Sequence, residues 1–164
     1  MKKVLFLLLI IPFFSRAQNC IISKDPQTGQ DAKAGVVFLK EPNENSGGTI
    51  SFARLGDKMF MNFNYLFKGG ETDSVRGKFA LTIKFSSGES KRFIVDQSTE
   101  MHPMPGMVNI GVTINLTQDD ALFFAKNQIN SIRVYNKDNE LKGYEKLLDK
   151  STADDIEKSV QCVL

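Results

Sequence analysis

The clearest feature of the chain is alternation. From Lys58 to Phe67, the apolar set Met59, Met61, Phe63, Tyr65 and Phe67 alternates with Lys58, Phe60, Asn62, Asn64 and Leu66. Successive side chains of an extended backbone point to opposite faces, so this spacing predicts a long strand with one face in a core. Lys78 to Phe85 repeats the pattern, with Phe79, Leu81, Ile83 and Phe85 inward and Lys78, Thr82 and Lys84 outward. Met107 to Leu116 does so again through Val108, Ile110, Val112, Ile114 and Leu116. Shorter strands are predicted at Val36–Leu39, Thr49–Leu55, Ser90–Asp96, Ile129–Tyr135 and Glu140–Leu148. Between them lie turn-rich stretches, Lys24–Ala34 and Glu41–Gly48. The tight hairpin Ser86-Ser87-Gly88-Glu89 has a glycine that can supply positive φ.

Twice the period changes. Thr117 is a helix cap, with Asp119 and Asp120 in the first turn, where carboxylates complement the helix dipole. A short helix is predicted from Gln118 to Asn127. Near the C-terminus, Ser151 and Asp154 have capping-box spacing, and Ala153, Ile156, Val160 and Val163 form a helical stripe that can pack on a sheet. The expectation is a mainly β (α+β) fold. It is a single antiparallel β-sandwich or curved sheet of about seven to eight strands, with one short inserted helix and a C-terminal helix.

The first 17 residues stand apart. Lys2 and Lys3 precede the apolar run Val4–Phe14, and Ser15-Arg16-Ala17 places small residues at −3 and −1 of a cleavage site. This is the pattern of a secretory signal peptide. An uncleaved anchor would ask for stop-transfer charges after the run. Lipidation at Cys20 would ask for small residues where Gln18 and Asn19 stand. The chain thus divides into a signal peptide, 1–17, and a single exported β-rich domain, 18–164, with no membrane span after cleavage. Periplasmic or secreted location is expected. Lys2, Lys3 and Arg16 are three of the 21 basic residues, which leaves 18 against 19 acidic ones and a net charge of −1. A general nucleic-acid binder needs a basic surface, so no nucleic-acid partner is expected.

Two cysteines remain in the exported segment, Cys20 near its start and Cys162 near its end. An even count in an oxidising compartment points to a disulfide. Such a bridge would close a loop of about 140 residues, worth roughly 5 kcal/mol on chain-entropy grounds. It would also dock the last helix against the first strand.

The signal ending in Ala17-Gln18, the mainly β body, the Ile129–Tyr135 strand after a Thr-capped helix and a cysteine in the terminal helix resemble small exported proteins of unknown function from Gram-negative bacteria. That resemblance implies no activity.

Candidate chemistry is sparse. His102 is the only histidine, and there is no G-x-S-x-G or H-E-x-x-H. The pairs Asp119-Asp120 and Asp154-Asp155 have ordinary positions at helix starts, so a carboxylate-based hydrolase is only a second alternative. One segment stands out: Met101-His102-Pro103-Met104-Pro105-Gly106-Met107. Thioether and imidazole together suit Cu(I). The segment resembles the Met/His-rich loops of periplasmic copper carriers, which makes Met101, His102, Met104 and Met107 candidate ligands. The competing reading is a plain loop shaped by two prolines and a glycine. Met59 and Met61 could add sulfur, but they share the apolar face of their strand. The leading expectation is a non-catalytic exported binding domain without a cofactor, whose partner is a protein or an envelope component. A periplasmic Cu(I)-binding protein is the alternative.

Overall fold

The computed structural model describes residues 20–40, 47–68, 79–95, 107–136 and 139–164. Among these residues, nine strands form two antiparallel sheets. The first sheet contains β1 (Cys20–Lys24), β2 (Asp31–Lys40), β3 (Gly47–Leu55), β4 (Lys58–Lys68) and β7 (Met107–Leu116), ordered β1-β2-β3-β4-β7. The second contains β5 (Phe79–Phe85), β6 (Ser90–Val95), β8 (Ile129–Asn136) and β9 (Asn139–Leu147), ordered β6-β5-β8-β9. Neither sheet closes into a barrel. Helices α1 (Gln118–Lys126) and α2 (Lys150–Val163) complete the chain.

The alternation of β4 holds in three dimensions: Met59, Met61, Phe63 and Tyr65 are buried, Phe60 is half-buried and Asn64 exposed. Leu81, Ile83 and Phe85 are buried in the same way on β5. The β3–β4 turn is a two-residue hairpin in which Gly56 takes φ +56°, a backbone state that costs other residues about 1–2 kcal/mol.

Several element boundaries differ from expectation, and two of the differences have a visible local cause. Residues 31–34 belong to β2 rather than to a turn. Asp25 explains why: its Oδ1 accepts from the backbone N–H groups of Gln27 and Thr28, both at 2.8 Å, and Gly29 N–H donates to its carbonyl. The reversal is complete by Gln30, and β2 starts at once. The last helix begins at Lys150, and its cap is Asp149 rather than Ser151. The Asp149 carboxylate accepts from Thr152 N–H at 2.8 Å, while Ser151 lies within the first turn. The first helix matches its expected start. Thr117 and Asp120 form a reciprocal capping box, each accepting the other's backbone N–H at 3.1 Å.

A single hydrophobic cluster draws on both sheets and both helices. Phe124 of α1 joins the sheets, its ring 5.9 Å from Phe52, 5.5 Å from Phe85 and 6.2 Å from Phe93. Helix α2 buries Ala153, Ile156, Val160 and Val163, chiefly against β2 and β3. Gly35 of β2 lets it come close, since a Cβ there would lie 2.3 Å from Ser159 Oγ and 2.8 Å from Ser159 Cα. Cys20 is the β1 residue paired with Gly35, and it forms a disulfide with Cys162 on the last turn of α2 at a Cα–Cα distance of 5.7 Å. One short stretch of helix is therefore packed on β2 and bonded to β1. The Arg54 guanidinium secures the same helix end, donating to the carbonyl oxygen of Leu164 at 3.1 Å. Among the described residues, no helix is long and apolar enough to cross a membrane.

Candidate functional site

The expected site residues fall into two groups. Cys20 and Cys162 are joined as expected. Met101, His102 and Met104 lie outside the described residues. Met107 opens β7 opposite Lys68, and its side chain is likewise outside the description. Met59 and Met61 do not serve as extra ligands. They are 7% and 0% exposed, on the inner face opposite Leu116 and Ile114. Among the described residues, no three or more His, Cys, Asp or Glu side chains gather closely enough to hold a metal ion.

Several carboxylates of the described chain have local partners. Asp25 is held below its ordinary range by the backbone N–H groups of Thr28 and Gln27. Burial pushes Asp120 upward, but hydrogen bonds from Lys91 and Thr117 more than offset this and its pKa is lowered. Asp154 is lowered by its hydrogen bond from Lys150, which also raises the lysine. Asp120 thus closes the start of α1, whereas Asp154, expected at a helix start, lies beyond the first turn of α2 and bonds Lys150 and Gln128.

The two outer faces are the extended surfaces of the molecule. On the first sheet, register places Ala34, Ala53, Phe60 and Asn115 in one row, Val36, Ser51, Asn62 and Thr113 in the next, and Phe38, Thr49, Asn64 and Gly111 in a third. None of these twelve positions carries a charge. The middle row is a hydrogen-bonded ladder: Thr113 Oγ1 donates to Asn62 Oδ1 at 2.8 Å, and Asn62 Nδ2 donates to Ser51 Oγ at 3.5 Å. Phe38 stands 63% exposed at one side.

The outer face of the second sheet is different. Arg92, Thr82, Arg133 and Glu145 share a row, and Tyr135 sits in the next. The guanidinium carbons of Arg92 and Arg133 lie 5.5 and 5.1 Å from the Tyr135 ring centre, within reach of cation–π attraction. Lys84 pairs with Glu145 at 3.1 Å, and Ser131 Oγ donates to the same carboxylate at 3.0 Å. These two contacts hold Glu145 below its ordinary pKa, the lysine contributing most. Opposite charges and ring contacts connect this face to itself.

The strand edges differ as well. Along β6 and β9 the described residues include Lys91, Arg92, Glu145 and Lys146, the kind of charge that discourages strand addition. β1 is an outermost strand whose only charged residue is Lys24. Ile21 is 59% and Ile22 72% exposed. Sequence reading missed this strand because a five-residue edge exposed on both sides has no inward face to mark it. The signal for the neutral face was present in β4, where Phe60, Asn62 and Asn64 occupy outward positions without one charge. Comparison of the chain with known protein families, curated protein sequences and solved structures finds no match in any of the three.

Proposed function

We propose that this chain is a non-catalytic exported binding domain whose contact surface is the outer face of the five-stranded sheet, and whose partner is another protein or an envelope component. The observation that carries this reading is the run of twelve uncharged outward positions across β2, β3, β4 and β7. Sheet faces that stay in water are ordinarily studded with charge, as the second sheet is here. Central interface regions are depleted of charge and keep polar groups that can pair with a partner. The Ser51–Asn62–Thr113 ladder supplies such groups, and Phe38 supplies an apolar anchor. Export is supported by the basic-apolar-small order of residues 1–17 and by the Cys20–Cys162 bond, which suits an oxidising compartment.

The test is site-specific photocrosslinking in producing cells. A photoreactive side chain at Asn64 reports on the neutral face, and one at Lys84 on the charged face. A discrete adduct from Asn64, absent from Lys84 and lost when Phe38→Asp is added, is the expected result. Equal labelling from both positions, or none from Asn64, overturns the proposal.

A further inference from the structure

We propose that the open edge of β1 is a self-association site, at which two copies of this chain pair β1 with β1 antiparallel and continue their five-stranded sheets into one. The inference concerns an edge rather than the neutral face, so its failure leaves the binding proposal standing.

β1 ends the strand order and pairs with β2 alone, so along its other side the main-chain N–H and C=O groups have no strand partner among the described residues. Natural edges are guarded by charge, proline, bulges or shortness. β1 is short and its one charge, Lys24, stands at its end, so Cys20-Ile21-Ile22-Ser23 carries neither charge nor proline. Among the described residues, three of the six large exposed hydrophobic side chains, Ile21, Ile22 and Phe38, are on β1 and its neighbour β2.

Charge and order both favour a second copy as the occupant. A twofold axis normal to the sheet keeps each face on its own side. Centred on Ile22, it sets Ile22 against Ile22 of the second copy and Lys24 against Cys20 of the second copy. No like charges meet, and each Lys24 keeps Asp31 of its own chain at 3.3 Å. β1 is also preformed. The Cys20–Cys162 bond ties it to α2, and β2 pairs with it along its whole length. A disordered peptide would lose backbone freedom, about 1–2 kcal/mol per residue, on joining such an edge. A second copy brings a strand that is already ordered, and one contact satisfies both open edges. Five residues at about 3.3 Å each span roughly 17 Å. Such a strip buries less than the ~800 Å² per partner of a stable complex, so the dimer is weak and concentration-dependent.

Sedimentation velocity on the disulfide-intact protein recovered after export, from about 10 µM to 1 mM, covers the range of such interfaces. The average mass is expected to rise toward that of a dimer. Ile22→Lys is expected to weaken association at least tenfold. Leu147→Lys, at a 70% exposed position on β9, is expected to leave it unchanged. Amide exchange supplies a readout at the strand itself: protection within Ile21–Ser23 should increase with protein concentration. Far-ultraviolet circular dichroism matching the parent shows that each variant folds. A monomer at every concentration overturns the proposal. So does association that survives Ile22→Lys without added protection in β1.

Discussion

The two sheets use the same alternating strands yet present opposite outer surfaces. On the five-stranded sheet, Ser51, Asn62 and Thr113 are joined by neutral hydrogen bonds, and the strand at its edge is fastened by a covalent bond to α2. On the four-stranded sheet, Lys84–Glu145 and the arginines around Tyr135 hold the surface together by charge. The contrast separates two ways of holding a sheet surface: neutral hydrogen bonds over a sheet whose edge and β2 are fastened to α2 from within, and ion pairs and ring contacts made on the surface itself.

Four experiments can break or sharpen this contrast. The largest effect is expected from replacing Cys20 and Cys162 by Ser together. The loss should approach roughly 5 kcal/mol in urea unfolding. Hydrogen exchange should show β1 and the last turn of α2 opening first, while β5 and β8 keep their protection. Uniform loss across both sheets would mean that the bond serves the whole molecule equally.

Next, Gly35→Val forces a branched side chain into the space occupied by Ser159. A cost of about 1–3 kcal/mol is expected, read as a lower thermal midpoint. A midpoint equal to that of the parent would show that α2 can move away freely.

The third effect belongs to the contact between the four-stranded sheet and α1, where Lys91 of β6 meets Asp120. Asp120 has its pKa lowered in the folded state, so its contribution is fully present above the ordinary value of 3.8 and is lost as pH falls below it. Asp120→Asn should cost about 1 kcal/mol near neutral pH, through the Thr117 capping box and the Lys91 contact. It should also flatten the acid limb of the stability curve. An unchanged acid limb would place the acid-sensitive groups elsewhere.

The smallest effect is Lys84→Ala. Its pair with Glu145 is surface-exposed, so the change should stay within about 1 kcal/mol and shrink in high salt. The neutral face should show no matching salt dependence when Thr113→Ala removes its hydrogen bond to Asn62.

Much of this architecture was legible where one face is buried. β4, β5 and β7 declare themselves through period 2, and the α2 stripe through period 3.6. The bridge between Cys20 and Cys162 followed from count and compartment. What stayed hidden depended on tertiary partners. β1 is ordered by β2 and a disulfide rather than by a pattern of its own. The cap at Asp149 competed with an equally good local signal at Ser151. The neutral face was hinted at within β4, but its breadth emerges only when the register aligns Asn62 with Ser51 and with Thr113 of β7. The Met101–Met107 segment lies outside this comparison, because its side chains are outside the described residues.

The two bonded cysteines are 142 positions apart. A polypeptide threaded across a membrane N-terminus first would release β1 well before Cys162 came into reach. During that interval the exposed isoleucines would have β2 for company but no covalent anchor. Closure of this loop would then wait for the 142 positions between its ends, and until it formed β1 would be held by its pairing with β2 alone.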